Sequence, residues 1–280
     1  MRRIFSCLLL LVSISTFSQV GWTSSFENAQ KLAIATDRLI LVDFWATWCA
    51  PCKKMESESW SDDEIQKLSQ GYVPLKVDLD RRTQLARRYG VNAIPLLLVL
   101  DSSGELIYKK LGYMDKNQLS KVLKKYAINT SFMRAESLNY FKHQNYSSGI
   151  RLAKKYIDFS QYLDEGIQFE FLELASNYLR SGEKMLDKEQ SNYNNMKEKI
   201  DLMEIQIDLY QDKINRVEKK LEKDFELASL SRGNKILYIY LNYCISLKHK
   251  DDKEIEKWKK QLASVDISGA YLKKSEFFID

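Results

Sequence analysis

The chain has 280 residues, 45% of them hydrophobic and 29% charged, the balance of a folded globular protein rather than a disordered one. A formal charge of +5, with no basic stripe interleaved with aromatics, argues against nucleic acid as a partner. Four cysteines over this length are too few for a disulfide-stapled scaffold, so a close pair among them points to chemistry more than to stapling.

At the start, Arg2 and Arg3 precede an apolar run over 4–12, and Thr16-Phe17-Ser18 supplies a small-residue exit. This is the layout of a secretory signal peptide over 1–18, with the mature chain beginning near Gln19 and Cys7 removed. The apolar run is short for a bilayer span, and no second long one follows it, so no stable membrane span is expected after its removal.

Residues 26–35 read as a helix, and Leu39-Ile40-Leu41-Val42-Asp43-Phe44 as a strand buried on both faces. Helical patterns follow over 50–58 and 62–68, then an apolar strand over 72–77 and a short helix over 84–89. A strand over 96–100 meets the turn Asp101-Ser102-Ser103-Gly104 and pairs with 105–110 as a hairpin, before a helix over 116–126. That order predicts one α/β domain over 19–128, a mixed sheet flanked by helices on both faces.

Pro51, Pro74 and Pro95 all fall before residue 100, and 129–280 reads as an all-α helical domain. Its start, 135–141 followed by 146–157 with a turn at Asn145, resembles one tetratricopeptide-like unit, with Gly149 and Ala153 allowing close contact. No second copy recurs at a fixed period. Between 183 and 232 there is neither glycine nor proline, and Met196, Ile200, Met203, Ile207, Tyr210, Ile214, Val217 and Leu221 are spaced four and three apart. Such a seam predicts a coiled-coil-like long helix or a helical hairpin. It packs either on neighbouring helices of the same domain or across a homodimer. Cys244, at helical spacing from Leu241 and Leu247, reads as a buried thiol, with a regulatory or intermolecular disulfide as the alternative.

The chemistry concentrates in Trp48-Cys49-Ala50-Pro51-Cys52-Lys53. A Cys-x-x-Cys pair needs a second pair or histidines to hold zinc. The only histidines, His143 and His249, lie in the helical half, and Cys244 stands alone, so neither metal nor cofactor is expected. Alone at the junction of a buried strand and a helix, the pair reads as redox-active. At a helix N-terminus, unpaired backbone N–H groups and the macrodipole stabilise a thiolate, which makes Cys49 the nucleophile. Cys52, one turn further, can resolve the mixed disulfide, and Pro51 suits the first turn because its missing N–H would have no partner there. Asp43 sits in an otherwise apolar strand, so its pKa is expected to rise and it can accept the Cys52 proton. Trp45 reads as packing, and Trp48 as a shield over the disulfide that meets partners.

The run Phe44-Trp45-Ala46-Thr47-Trp48-Cys49-Ala50-Pro51-Cys52-Lys53 resembles the active-site motif of the thioredoxin family. Ile94-Pro95 before a strand, the hairpin, and Leu111-Gly112 before the last helix extend the resemblance over roughly 22–128. It implies a thioredoxin fold, a cis bond before Pro95, a buried carboxylate at Asp43 behind Cys52, and Lys76 approaching that carboxylate. It also implies that substrate backbone lies along Ile94 and Pro95, with Gly112 lining the groove and Trp48, Ala50 and Pro51 beside it. Ala50 replaces the glycine of general thioredoxins, so the family's redox potential does not carry over. The stretch 55–63 resembles exported members whose active-site helix is followed by a short second helix, which places the protein in the periplasm or envelope of a bacterium. Pro51 and Ile94 are usual in reducing members. The resemblance thus implies an enzyme that reduces disulfides in exported protein substrates, with a protein redox partner returning electrons. The alternatives are an oxidant or isomerase, or a helical scaffold with an accessory thioredoxin domain.

Overall fold

A computed structural model describes residues 20–81 and 83–279; the expected signal segment 1–18 lies outside the described residues. The apolar run after the first helix forms β1 (Leu39–Trp45), buried along its whole length except at Trp45. A strand with so little polar surface belongs in the middle of a sheet. It pairs in parallel with β2 (Tyr72–Asp78) and antiparallel with β3 (Leu96–Leu100), which continues through a hairpin to β4 (Leu106–Leu111). The sheet order is β2-β1-β3-β4. Pro74 is tolerated because β2 is an edge strand, and its carbonyl accepts from the Thr23 N–H and hydroxyl.

Alternation along β1 divides the core. Ile40, Val42 and Phe44 face a layer with Ala29 and Ala33 of α1 (Phe26–Thr36) and with Ala86 of α4 (Thr83–Arg88). Leu39 and Leu41 face the opposite layer, with Met55 of α2 (Ala50–Met55), Ile65 of α3 (Asp63–Ser69) and Leu119 and Leu123 of α5 (Lys116–Lys125). The expected 50–58 helix changes character midway: after Met55 the chain makes a π-helical turn, Glu56–Trp60, before Asp62 caps α3. Among the described residues the sheet and its flanking helices match the expected mixed α/β arrangement, and a run of helices follows.

Those helices are α6 (Arg134–Lys142), α7 (Tyr146–Ser160), α8 (Glu165–Lys184), α9 (Tyr193–Tyr210), α10 (Ile214–Asp224), α11 (Arg232–His249), α12 (Asp252–Val265) and the short α13 (Ala270–Lys274). Asn145 caps α7 through a capping box with Ser148, as the expected turn requires. A Cβ on Gly149 would stand 3.8 Å from Gly182 Cα, so α7 and α8 approach closely where their glycines face.

Of the two expectations for 183–232, the single long helix does not form, and α9 and α10 instead pack on one another as a hairpin requires. The chain leaves the helix after Lys184, resumes at Tyr193, and breaks again after Tyr210, where Asp212 takes a left-handed φ of 59°. The buried carboxylate of Asp208 explains the second break: it receives Arg216 at 3.1 Å and Lys220 at 2.9 Å, both on α10, and holds that helix beside α9. The seam residues Ile200, Met203, Ile207, Val217 and Leu221 are buried within the chain, and α9 also buries Leu202, Ile205 and Leu209. Burial on several sides of α9 is core packing, whereas a coiled coil needs a single stripe.

One apolar cluster runs from Leu41 and Val99 of the sheet through to Leu262 of α12. Polar contacts fasten the two halves. Asp101, in the β3–β4 turn, accepts the Tyr156 hydroxyl at 2.9 Å and also the Tyr178 hydroxyl, and backbone N–H groups of Ser103 and Glu105 at 2.9 Å. Arg134 pairs with Asp37 at the end of α1, and Glu170 of α8 accepts from Lys125 and Tyr126 at 2.9 Å. Asp37 and Asp101 flank the Leu39 end of β1 and the Leu100 end of β3. The Cys-x-x-Cys segment follows the other end of β1. Seven residues at ~3.3 Å each separate the two poles of the sheet, and Trp48, Ala50 and Pro51 at the sulfur pole are exposed.

Candidate active site

Beyond Trp45 the chain turns sharply, with the Cys49 N–H donating to the Ala46 carbonyl at 3.1 Å, and enters α2. Cys49 is the N-cap of that helix, and its Sγ accepts the Cys52 N–H at 3.2 Å. A sulfur in this position faces the positive end of the helix and its unpaired donors, both of which favour a thiolate. Pro51 occupies the first turn without leaving a donor unmet. Cys49 and Cys52 are joined as a disulfide with Cα atoms 5.3 Å apart, both nearly buried at 3% and 6% exposure.

Around the sulfurs the surface is uneven. Trp48 is 64% exposed, and its indole N–H donates to the Asp80 carboxylate at 3.1 Å, which sets the ring beside the pair. Ala50 and Pro51 are exposed, whereas Ile94 packs against the cysteines. The Ile94–Pro95 bond is cis, as the resemblance implies, and the Pro95 carbonyl accepts the Gly112 N–H at 2.8 Å. Gly112 has φ of 96°, a conformation that glycine adopts without strain. The loops carrying Pro95 and Gly112 therefore lie side by side next to the disulfide.

Behind the pair lies Asp43. It points to the same side of the sheet as Leu41, towards α2, whose buried face carries Cys52 and Met55. Burial pushes its carboxyl up to about 7; the positive charge of Lys76 opposes the rise and Glu56 reinforces it. Lys76 is the cross-strand partner of Asp43. Its ammonium pairs with Glu56 and sits over the rings of Trp22 and Trp45, 5.3 and 5.0 Å from their centroids. Trp45 is thus more than packing, since it is one wall of the lysine's site.

Three participants escape a reading of the motif. Glu56 is one helical turn beyond Cys52, but as a surface glutamate it carries no signal until Lys76 is seen to reach it. Trp22 and Asp80 reach the site only through the fold. No group of three or more potential metal ligands occurs among the described residues. Cys244 is fully buried and its thiol is pushed up by that burial, so it stands as a core residue far from exchange chemistry.

Known proteins are similar to the first part of the chain. Residues 26–127 match the family described as Thioredoxin-like domain. The chain is 31% identical over 97 residues to a thioredoxin of Chlorobaculum thiosulfatiphilum, covering 34% of this chain and 85% of that protein. It is 38% identical over 97 residues to a thioredoxin of Rickettsia conorii, covering 34% of this chain and 86% of that protein. A solved thioredoxin from Thermus thermophilus is similar at 24% identity and a TM-score of 0.37, covering 40% of this chain and 91% of that one. The family match ends where α6 has yet to begin, so the helical half lies outside it. With its Cys49–Cys52 pair capping α2 at the end of the central strand, the chain belongs to the thioredoxin family and is a thiol–disulfide oxidoreductase.

Proposed function

We propose that this protein works outside the cytoplasm, in a bacterial envelope, reducing disulfides in partner proteins. The observation that carries the reading is the placement of Cys49 as N-cap of α2, with an exposed Trp48 in front and a buried Asp43 behind. In the dithiol form, the Cys49 thiolate attacks one sulfur of the substrate disulfide and expels the other as a thiolate. Asp43 takes the proton of Cys52, whose sulfur then attacks Cys49 Sγ. The second substrate sulfur leaves, and the Cys49–Cys52 disulfide remains. The substrate gains two electrons and two protons, and a protein dithiol of lower potential restores the pair. A carboxyl poised near 7 accepts and returns a proton at neutral pH with little penalty.

Export is supported by Arg2, Arg3 and the apolar run that follows them. The reducing direction is supported by Pro51 and Ile94, which resemble those of reducing family members. Redox titration of the pair, combined with trapping of mixed disulfides on a Cys52→Ser variant in cells, tests both. A potential near those of reducing thioredoxins, with trapped envelope proteins, is expected. A potential higher by ~100 mV, with rapid oxidation of reduced substrates, would reverse the direction. N-terminal sequencing of the secreted fraction tests cleavage near Gln19.

A further inference from the structure

Away from the sulfurs, α10, α11 and α12 splay apart around a cleft of about 430 Å³. This is within the ~300–1,000 Å³ of sites that hold small ligands. Its floor includes the buried Leu221 and Ile245. Two walls are aromatic: Tyr238 and Trp258 meet at 69° with ring centroids 6.3 Å apart. The rim carries four carboxylates, Glu218, Glu222, Asp251 and Glu254, against a single basic lining residue, His249. Two of the four, Glu222 and Asp251, have no basic partner among the described residues, which leaves negative charge at the edge of a concave apolar place.

The carboxylates differ in what already holds them. Glu218 meets His249 Nε2 at 2.6 Å, and Asp251 caps α12 through one oxygen. Glu254 accepts the Trp258 indole N–H at 2.9 Å and pairs with Lys257 at 2.7 Å. Glu222 has no hydrogen-bond or ion-pair partner among the described residues. Lys257 shows what the corner recognises: its ammonium lies 4.7 Å from the Trp258 centroid and within reach of Glu254. A cation between a carboxylate and an indole face is attracted by both. Tyr238, Glu222 and Asp251, whose second oxygen takes no cap bond, line the same cleft and present an aromatic ring and two carboxylates to a cation from outside, while the apolar floor takes an aliphatic stem.

We propose that this cleft binds a lysine or arginine side chain on a basic segment of a protein partner. The inference rests on the reading that the enzyme acts on proteins, and deepens it. A partner held at the helical half presents its disulfide to Cys49 at raised effective concentration without covering the sulfur pole.

The test is calorimetric titration of the full chain, at low salt, with a capped peptide of alternating glycine with lysine and arginine. Saturable one-to-one binding is expected, weakened about tenfold by either Glu222→Gln or Tyr238→Leu. A glycine–glutamate peptide should not bind. No saturable binding, or affinity unchanged in both variants, overturns the proposal. Binding of spermidine without binding of the peptide also overturns it, because the occupant would then be a free polyamine. Glu222 is exposed, so its variant keeps the fold, and both variants should still exchange with a small aromatic disulfide. Cys49→Ser should lose that exchange and keep the peptide, so failure of the docking site and failure of the redox reading give different results.

Discussion

Lys76 stands opposite Asp43 across the β1–β2 register, yet its ammonium is paired with Glu56. The buried carboxyl therefore feels a lysine whose charge is partly answered elsewhere, and burial prevails, lifting Asp43 to about 7. Glu56→Gln leaves Lys76 free to stabilise the Asp43 carboxylate, so the carboxyl pKa falls. The pH profile of substrate reduction should move to lower pH in this variant and to higher pH in Lys76→Met. Stopped-flow rates between pH 5 and 9 check the two opposite shifts, which a purely structural role would not produce.

Asp43 also makes stability depend on pH. Its pKa rises on folding from 3.8 to about 7, so the native state holds a proton that the unfolded chain has released across that window. Stability contributed by this group is greatest below pH ~4 and declines as pH climbs to ~7, by about 4 kcal/mol in all. Asp43→Asn should flatten that decline, making the oxidised variant more stable than wild type at pH 8 by a few kcal/mol. Urea unfolding of both proteins at pH 5 and pH 8 measures it.

Asp101 ties the halves together through Tyr156 and Tyr178, whose stacked rings lie 5.6 Å apart. Asp101→Ala strips four donors of their acceptor in a fully buried place. A loss of ~3 kcal/mol or more is expected. Because one apolar cluster spans both halves, tryptophan fluorescence and far-ultraviolet dichroism should report a single shared transition in the wild type.

Trp48 is mostly exposed and held by one polar contact, so Trp48→Ala should scarcely alter stability. Its loss removes contact area where a protein substrate docks. The kcat/KM for a protein disulfide should fall about tenfold while exchange with a small aromatic disulfide changes little. Insulin reduction compared with small-disulfide exchange separates these effects.

Cys244 has no route to solvent, and burial holds its thiol far above neutral pH. Native protein should resist alkylation at Cys244 at pH 8, and the residue should react once urea is added. Peptide mass mapping reads the difference. Cys244→Ser should leave the migration of the protein on non-reducing gels unchanged, against the alternative of an intermolecular disulfide.

The redox pair was legible because its physics is local. A buried strand, a helix entry and two sulfurs one turn apart fall within 14 consecutive residues, and the neighbouring proline and carboxylate are explained by the same segment. Glu56 was visible only in retrospect, since a surface glutamate one turn past Cys52 looks like any solvated residue until Lys76 reaches it. Asp101 read as a turn-former, which it is. Its second task depends on tyrosines 55 and 77 residues later in the chain.

The seam from Met196 to Leu221 marks the boundary between what sequence and tertiary structure each decide. Apolar residues at three- and four-residue spacing determined that these positions are helical; Ile200, Met203, Ile207, Val217 and Leu221 are buried, and Met196, Tyr210 and Ile214 are half-buried. The pattern is the same for a coiled coil and for a helix wrapped by its neighbours, because both need apolar residues on adjoining turns. Only the folded chain chose between them, by turning at Asp212 and drawing Arg216 and Lys220 onto Asp208. The sequence alone likewise placed Cys49 at a helix entry, where its chemistry follows from backbone donors. The tertiary structure decided what stands around it, because burial, cross-strand charge and the cleft among α10, α11 and α12 are properties of residues distant in the chain and adjacent in space.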